Sequence, residues 1–317
     1  MGIDNLKSAL VTGGAGFIGS NLVEALLNKG YRVTVLDDLR TGDIRNLNLA
    51  RINFLNVDLL DPGLDLVEVT RGIDEVYHFA ANADVKDGWK HPQLDLEQNT
   101  LATVKLIEAC SHSAIKEFIF SSTGSVYGEP SIIPTPEEGT FPRQTSLYGA
   151  SKISAEAFIE AYCEAGRLKA TIFRFVSVLG KNYSHGHVID FVRKLRADPT
   201  RLKVLGDGSQ KKSYMNVQDC IRGVLTLRTN NPIEIFNLGV DGYCDIRQSI
   251  SWITKALAVN PTIEYLGGER GWVGDNPFIW LDVSKAASLG WKTECGIEES
   301  IIETVRWVSN RLDCAEN

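Results

Sequence analysis

The stretch SALVTGGAGFIGS at residues 8–20 decides the fold of this chain. Residues 9–11 form a short, continuous apolar run, which predicts a strand buried on both faces. Gly13, Gly16 and Gly19 then interrupt the run, and a helical period begins. Glycines at this spacing allow a tight turn, close approach of a pyrophosphate and packing of the helix on the strand. The free N–H groups at the helix start predict a phosphate site, although glycine-rich turns also occur in purely structural loops.

A carboxylate ends the second predicted strand, residues 31–37, eighteen positions after the last of these glycines. Asp37, with Asp38 beside it, stands where the 2′-hydroxyl of a ribose needs an acceptor. Because this carboxylate would repel a 2′-phosphate, the sequence predicts NAD rather than NADP. The alternative is that Asp37 only starts a turn and that Arg40 holds a 2′-phosphate.

Composition excludes several classes of protein. The 317 residues, 44% hydrophobic and 23% charged, suffice for one extended α/β unit or two domains with a substantial core. A net charge of −7 without a dense Lys/Arg run argues against nucleic-acid binding. No apolar run reaches the roughly 20 residues that a bilayer needs, so we expect a soluble cytoplasmic protein. The cysteines are scattered without the spacing of metal ligands, so we expect their thiols to stay reduced. They are Cys110, Cys163, Cys220, Cys244, Cys295 and Cys314.

Strands and helices alternate along the chain in βαβ units. Helices are predicted at 17–29 and 93–113, and further strands at 52–57, 75–81, 117–122, 168–175 and 233–238. This order predicts an α/β fold with a Rossmann-type, doubly wound parallel sheet. Ligands bind at the carboxyl edge of such a sheet.

Several small or polar residues fall at that edge. Asp58, after the third strand, is placed to reach an adenine or simply to cap a turn. Ala80 and Ala81 end the fourth strand, where small residues let a cofactor lie against the backbone but also pack well. Asn99 lies inside the long helix, and a polar amide on a core-forming helix needs a partner.

Tyr148 and Lys152 suggest the chemistry. They lie four residues apart at the start of a predicted helix, so their side chains share one face. An ammonium beside a phenol favours the phenolate, and a positively charged nicotinamide would add to this effect, which makes Tyr148 a candidate general base. The pair alone could be an ordinary surface pair. Thr123, on the loop that leaves the fifth strand, and the upstream nucleotide fold argue for the catalytic interpretation.

Ordered motifs along the chain resemble those of the extended short-chain dehydrogenase/reductases. The closest similarity is to the NAD-dependent nucleotide-sugar epimerase/dehydratases of the UDP-glucose 4-epimerase type. The matching motifs are GGAGFIG at 13–19, HFAA at 78–81, SST at 121–123, VYG at 126–128 and YGASK at 148–152. Later landmarks are GDGSQ at 206–210, YMNVQD at 214–219, FNLG at 236–239 and GD at 274–275.

The resemblance implies a catalytic triad of Thr123, Tyr148 and Lys152. In such an epimerase Tyr148 takes the proton of the sugar 4-hydroxyl while hydride passes to NAD, and the 4-keto sugar turns over before hydride returns. The NAD site implied by the resemblance consists of Gly13, Gly16, Phe17, Ile18, Gly19, Asp37, Asp38, Asp58, Leu59, Phe79, Ala80, Ala81, Asn99, Ser121, Tyr148, Lys152 and Phe175.

Two neighbouring reactions do not match the residues after Thr123. Related 4,6-dehydratases place an Asp-Glu pair there, and related decarboxylases place a glutamate in the same loop. This chain has Gly124 and Ser125. The resemblance therefore leaves 4-epimerisation, or a half-reaction that makes or reduces a keto sugar. The non-enzymatic alternative is an NAD-binding scaffold or sensor protein that keeps the fold, but such a protein would be expected to lose Tyr148 or Lys152, and both are present.

The second half of the chain is expected to bind the nucleotide sugar. We predict a cofactor domain of residues 1–176 and 215–241 and a substrate domain of residues 177–214 and 242–317. Ser177, Lys212 and Trp272 depart from the family pattern, and Trp272 is either a core residue or a stacking surface; Arg270 could supply the guanidinium that Lys212 lacks. The predicted substrate-binding residues are Thr123, Ser177, His187, Val188, Lys212, Tyr214, Arg270 and Asp275.

Two further features complete the expectations. His185 and His187 flank a glycine without carboxylate or thiol neighbours in sequence, so we predict loop residues and no metal site. The apolar faces of helices 93–113 and 146–166 predict a homodimer of the kind this family forms, unless those faces are internal core.

Overall fold

The computed structural model of the chain describes residues 6–83, 85, 88–138, 143–268 and 276–316. The strands in these ranges are β1 (Ser8–Thr12), β2 (Arg32–Asp37), β3 (Asn53–Asn56), β4 (Glu75–His78), β5 (Glu117–Thr123), β6 (Ala170–Phe175), β7 (Ser177–Leu179), β8 (Arg201–Val204), β9 (Lys211–Lys212), β10 (Tyr214–Asn216), β11 (Ile233–Leu238), β12 (Cys244–Asp245), β13 (Thr262–Tyr265) and β14 (Phe278–Ile279).

Helices connect most of these strands. They are α1 (Phe17–Asn28), α2 (Leu66–Thr70), α3 (Pro92–Asp95), α4 (Ala102–Ser111), α5 (Leu147–Glu164), α6 (His187–Ala197), α7 (Val217–Thr226), α8 (Ile246–Leu257), α9 (Ser284–Ser288) and α10 (Ile297–Glu316). A π-helical segment, Leu96–Leu101, joins α3 to α4, and short 3₁₀ turns cover Ile44–Asn46, Leu49–Arg51 and Gly124–Tyr127.

The central sheet has seven parallel strands in the order β3-β2-β1-β4-β5-β6-β11. The direction of winding reverses between β1 and β4, which are hydrogen-bonded neighbours. Connections from these two strands leave to opposite sides, so a crevice opens at their carboxyl ends. The predicted doubly wound parallel sheet is confirmed, and its crevice lies at the glycine-rich turn.

Both faces of the sheet are buried in apolar side chains. Ala9 and Val11 of β1 face one core, which includes Phe173 and Phe236. Leu10, between them, faces the other core, which includes Phe118, Phe120 and Ile172. Since side chains alternate along a strand, this two-sided burial explains why β1 reads as a continuous apolar run.

Two elements differ from the sequence prediction. The fourth strand ends at His78 rather than at residue 81. Beyond it, the backbone N–H of Ala80 donates to the Thr12 hydroxyl (3.3 Å) and not to the backbone of a neighbouring strand. The helix predicted at 93–113 is interrupted by the π-helical segment, which inserts residues into the regular turn.

The remaining strands form smaller sheets beside the central one. β7 pairs in parallel with β10, β8 pairs with β13, and β9 lies between β12 and β14. Apart from the end of β10, the strands of these smaller sheets lie within the ranges assigned to the substrate domain, residues 177–214 and 242–317. The boundaries between the two domains stay a prediction.

The described part of the chain contains no helix whose length and apolar character would let it cross a bilayer. The same residues include no group of three or more His, Cys, Asp or Glu side chains placed to hold a metal ion. All six cysteines are free. Cys295 is half-buried, Cys314 is exposed, and the other four are buried.

Candidate active site

The turn between β1 and α1 forms an open cradle of backbone N–H groups. Gly13 adopts φ +68°, and a Cβ on it would lie 2.5 Å from the backbone nitrogen of Ala80. A Cβ on Gly19 would lie 2.1 Å from the Gly13 carbonyl oxygen, so only glycine lets α1 pack this close to the turn. Gly16 caps α1 without a side-chain hydrogen bond, and the first turn has no acidic residue. The N–H groups of the first helical turn, which include those of Phe17 and Ile18, are therefore available to an anion.

Asp37 closes one side of this cradle at the end of β2. Its Oδ2 accepts a hydrogen bond from the Ala15 N–H (2.9 Å) and its Oδ1 from the Leu39 N–H (2.9 Å). Burial raises the pKa of Asp37, against these backbone hydrogen bonds. The carboxylate is thus fixed beside the glycine turn with lone pairs left for a hydroxyl donor.

Arg40, the alternative anchor for a 2′-phosphate, is engaged elsewhere. Its guanidinium lies 3.1 Å from the Asp38 carboxylate and 2.9 Å from that of Asp58. Asp58 also accepts from the Leu60 N–H (2.8 Å), so it caps a turn as well. With two carboxylates on its guanidinium, Arg40 is poorly placed to hold a third anion, which favours NAD over NADP.

The wall of the crevice follows β4. Phe79, Ala80 and Ala81 are half-buried there, and the Phe79 ring stacks on Phe175 with 6.2 Å between centroids. Leu59 is buried, and the Ser121 hydroxyl donates to the His78 carbonyl (3.2 Å). The structure therefore brings the predicted cofactor residues of β1, β2, β4, β5 and β6 to one edge of the sheet.

Thr123 and Tyr148 meet at that edge. Thr123 ends β5, and its Oγ1 accepts a hydrogen bond from the Ser125 N–H (3.1 Å). The helix α5 begins after Ser146, whose Oγ accepts from the Gly149 N–H (3.0 Å) and so places Tyr148 in the first turn. The Thr123 hydroxyl lies beside the Tyr148 phenol, close enough to act on the pKa of Tyr148. Because one Thr123 lone pair is taken by the Ser125 N–H, its hydroxyl hydrogen is free to point to the phenol oxygen.

The acidity of Tyr148 differs from the sequence prediction. Burial raises the pKa of Tyr148 to about 12, the hydrogen bond from Thr123 opposes this rise, and the Asp95 carboxylate adds to it. Lys152 does not lower it in the chain alone. Burial lowers the pKa of Lys152 itself to about 7, against the opposing charge of Glu156. The lysine ammonium lies 4.3 Å from the centre of the Phe120 ring. The sequence correctly predicted that Tyr148 and Lys152 share a helix, but it did not predict that burial would raise the pKa of Tyr148.

Asn99 has the partners that its position requires. Its Nδ2 donates to the Asn82 carbonyl (3.1 Å) and to Ser151 Oγ (2.9 Å), and its Oδ1 accepts from the Asn82 N–H (2.8 Å). Ser151 precedes Lys152 in α5. Asn99 therefore ties the loop after β4 to the helix that carries Tyr148 and Lys152.

The predicted substrate residues are only partly brought together. The His187 ring lies 5.0 Å from the Tyr214 ring, and its Nε2 is 2.7 Å from Ser249 Oγ. Lys212 is half-buried in β9, Ser177 is exposed at the start of β7, and the Val188 side chain is fully buried. Arg270, Trp272 and Asp275 lie outside the described residues.

Comparison with known proteins identifies the family. A model of the NAD dependent epimerase/dehydratase family matches residues 9–239. The chain belongs to this family. One epimerase/dehydratase relative, the UDP-glucose 4-epimerase of Mycolicibacterium smegmatis, is 31% identical over 315 residues, which cover 95% of this chain and 98% of the relative.

Solved structures extend this similarity. The UDP-glucuronic acid 4-epimerase from Bacillus cereus, in complex with UDP-glucuronic acid and NAD, superposes with a TM-score of 0.86 at 31% identity over 96% of this chain and 99% of that one. The UDP-glucose 4-epimerase from Thermus thermophilus, in complex with NAD, gives 0.84 at 32% identity over 95% and 99%.

As an epimerase/dehydratase of the extended short-chain dehydrogenase/reductase type, the chain is an NAD-dependent enzyme. Its own residues fit NAD. The Gly13–Gly19 cradle is open to a diphosphate, the Asp37 carboxylate accepts hydroxyl donors, and Arg40 is held away by Asp38 and Asp58.

Sequence reasoning missed several residues of this epimerase/dehydratase site. Asp95 accepts from Asn82 Nδ2 (2.9 Å) and Asn99 Nδ2 (3.3 Å) and acts on Tyr148 through its charge. Its spacing of four residues before Asn99 was an available signal, since such residues share a helix face. Ser151 gave no signal of its own, because its role depends on the packing of two helices.

His78 begins the HFAA motif at residues 78–81, and the sequence did not indicate a role for it. Its Nδ1 lies 2.6 Å from Thr12 Oγ1, and its Nε2 lies 2.9 Å from Thr103 Oγ1. Thr103 donates to the Asn99 carbonyl (2.6 Å), so it must accept from the imidazole N–H, and Thr12 must donate to Nδ1. Burial lowers the pKa of His78 to about 3, with the Lys152 charge adding to the effect. The imidazole is therefore neutral.

This buried imidazole makes an acid-sensitive contribution to stability. The unfolded chain binds a proton at His78 below its ordinary pKa of about 6.5, whereas the folded chain binds it only near pH 3, so stability is lost as pH falls. In His78→Gln this loss is absent. We expect the stability advantage of the unmodified chain over His78→Gln to shrink by about 2 kcal/mol between pH 8 and pH 5, measured by urea unfolding. An advantage that stays constant would show that the pKa of His78 is the same in the folded and unfolded chains.

Proposed function

We propose that this chain is a 4-epimerase of nucleotide-activated hexoses, with UDP-hexoses as the substrate class. The observation that carries the proposal is the placement of Tyr148 beside Thr123 at the carboxyl edge of the sheet, one helical turn before Lys152. When bound, oxidised NAD supplies a hydride acceptor and a positive ring charge. A hydride acceptor, a phenol and a hydroxyl donor at one sugar carbon suffice for reversible oxidation there.

Tyr148 is proposed to take the proton from the sugar 4-hydroxyl. Its pKa of about 12 in the chain alone means that the phenolate needs additional positive charge. The oxidised nicotinamide would supply that charge when bound, and the Lys152 ammonium is proposed to act together with it. Thr123 directs its hydroxyl hydrogen toward the same oxygen, so it is proposed to hold the reacting oxygen of the sugar against Tyr148. Lys152 is also proposed to hold the cofactor ribose.

Epimerisation is favoured over elimination by the loop after Thr123. That loop is the short turn Gly124–Tyr127, which offers no carboxylate. A Cβ on Gly124 would lie 3.3 Å from the Phe175 carbonyl oxygen, so the loop is also closely packed. Without an acid next to Thr123, removal of water or carbon dioxide lacks its proton donor. A 4-dehydrogenase or 4-ketoreductase of the same fold is the second candidate.

The nucleotide half of the substrate is assigned to the smaller sheets. The proposed contacts are Ser177, His187, Val188, Lys212, Tyr214, Arg270 and Asp275. Val188 is fully buried in the chain alone. The relatives named above act on UDP-glucose or UDP-glucuronic acid, which supports UDP as the nucleotide. The division at residues 177–214 and 242–317, and a cytoplasmic location in which the six free thiols stay reduced, are part of the same proposal.

A panel of UDP-, GDP-, CDP- and dTDP-sugars tests this function. The purified enzyme is incubated with each sugar, and the products are followed by NMR together with absorbance of reduced nicotinamide. Formation of the C4 epimer without added NAD and without net NADH supports the 4-epimerase. Stoichiometric NADH supports the 4-dehydrogenase, and no turnover of any sugar contradicts both.

We also propose a homodimer through the two helical segments 93–113 and 146–166. They pack beside each other, and three large apolar side chains on them remain exposed, namely Leu96, Leu101 and Phe158. We expect Phe158→Asp to weaken dimerisation at least tenfold, because a charge would be buried in the interface. Val67→Asp, an exposed apolar residue on α2, is the control. Sedimentation equilibrium measures both, and a monomeric unmodified chain would contradict the proposal.

A further inference from the structure

Lys152 is surrounded by groups from four elements. On α5, Tyr148 and Glu156 lie one helical turn before and after it. The Phe120 ring of β5 lies under the ammonium, and His78 of β4 is close enough for the lysine charge to act on it. Arg174 of β6 completes the set through its bond to Glu156. His78 is neutral, so it offers the ammonium no counter-charge.

Glu156 is the buried acid in this group. It is fully buried, and its Oε2 accepts from Nη2 of Arg174 at 2.6 Å. Nε of the same arginine lies 3.2 Å from each carboxylate oxygen. The Ser122 hydroxyl, directly before Thr123, donates to Oε1. The carboxylate is therefore held rigidly between the end of β5, β6 and the helix that carries Lys152.

A buried ion pair of this kind needs an explanation other than stability. Two charges removed from water often stabilise a fold no better than apolar side chains of the same size. Through the Ser122 hydroxyl, the pair is also joined to the end of β5 that carries Thr123, and Glu156 lies on the helix that carries Tyr148. Its position, rather than its energy, points to the site.

We propose that Glu156 is a positioning residue that keeps the Lys152 ammonium charged inside the site. The four-residue spacing puts both side chains on one helix face, where neither is hydrated and their attraction is weakly screened. Arg174 opposes this attraction, but it is bound to Glu156 and to the Tyr127 hydroxyl (2.9 Å). The inference rests on the proposed role of Lys152 and adds the group that makes this role possible near neutral pH.

Burial and the Glu156 charge act on the pKa of Lys152 in opposite directions, and the result lies in a pH range where titration can be measured. Burial lowers the pKa of Lys152 to about 7, and Glu156 acts in the opposite direction. Without the carboxylate the ammonium would lose its proton at a lower pH. The amine would then no longer attract a phenolate at Tyr148.

Titration of Lys152 by NMR tests the inference directly. Lysine labelled with ¹³C at Cε is incorporated into the NAD-saturated enzyme, and the Lys152 signal is assigned by its loss in Lys152→Met. We expect Glu156→Gln to lower the Lys152 midpoint by about one pH unit and the alkaline limit of turnover by the same amount. Glu160→Gln, one turn further along α5, should change neither, and Glu156→Asp should restore most of the shift. An unchanged midpoint in folded Glu156→Gln overturns the proposal.

A double variant tests the proposal if Glu156→Gln does not fold. Glu156→Gln leaves the Arg174 guanidinium buried without its carboxylate, whereas Glu156→Gln/Arg174→Gln removes both charges. The double variant should still lower the Lys152 midpoint, by less than the single variant, and an unchanged or raised midpoint contradicts the proposal. Because the titration needs no nucleotide sugar, its result stays readable even if the proposed substrate class is wrong.

Discussion

Tyr148→Phe should lower the turnover of the nucleotide sugar by about a thousandfold, the middle of the range for loss of a general base. The substitution removes one oxygen, the atom that contacts Thr123, and keeps the ring in its place at the start of α5. Bound NAD should be retained, because the glycine cradle and Asp37 do not involve the phenol. Turnover is measured by NMR of the sugar, and bound NAD by its release on denaturation.

Tyr162→Phe is the matched control for this experiment. Tyr162 lies in the same helix, nearly four turns further along, and is half-buried. We expect turnover within about twofold of the unmodified enzyme. Near-normal turnover in Tyr148→Phe would contradict the proposal that Tyr148 is the general base. Loss of NAD together with turnover would instead show that the phenol holds the cofactor.

Gly19→Ala should produce the largest effect on the cofactor. The added Cβ would lie 2.1 Å from the Gly13 carbonyl oxygen and 2.9 Å from the Gly14 Cα, both of which are backbone atoms. Neither can rotate away, so α1 must move from the turn and its N–H groups leave their positions. We expect an NAD affinity at least about tenfold weaker and a loss of about 2 kcal/mol in the free energy of unfolding.

Gly296→Ala is the matched control, because a Cβ there meets no atom within 4 Å. Calorimetric titration of the NAD-free enzymes with NAD and urea unfolding give the two quantities. An unchanged NAD affinity in Gly19→Ala would mean that the helix start does not hold the diphosphate. The pyrophosphate site would then have to be sought elsewhere in the crevice.

The sequence was informative wherever a local rule determines the structure. The apolar run at residues 9–11, the three glycines and Asp37 predicted the β1–α1–β2 unit, because burial on two faces and the turn leave few alternatives. The four-residue spacing of Tyr148 and Lys152 correctly gave their shared helix. The alternation of strands and helices correctly gave a doubly wound parallel sheet.

The sequence was less informative where the outcome depends on surroundings from distant parts of the chain. The pKa of Tyr148 is raised rather than lowered because burial outweighs the opposing effect of Thr123, with Asp95 adding to the rise, and burial depends on the packing of α5 on the sheet. The π-helical segment that contains Asn99 has no sequence signature. The partners of Glu156 come from two other strands, which a helical pattern does not reveal.

The threonine–histidine–threonine connection through Thr12, His78 and Thr103 constrains how this protein can evolve. Every hydroxyl in it already serves as donor and as acceptor, from the Ala80 N–H at one end to the Asn99 carbonyl at the other. Replacement of any one of the three leaves a buried donor or acceptor of its neighbour without a hydrogen-bond partner, and water does not reach this position. Descendants of this chain should therefore inherit the three residues together or exchange them together.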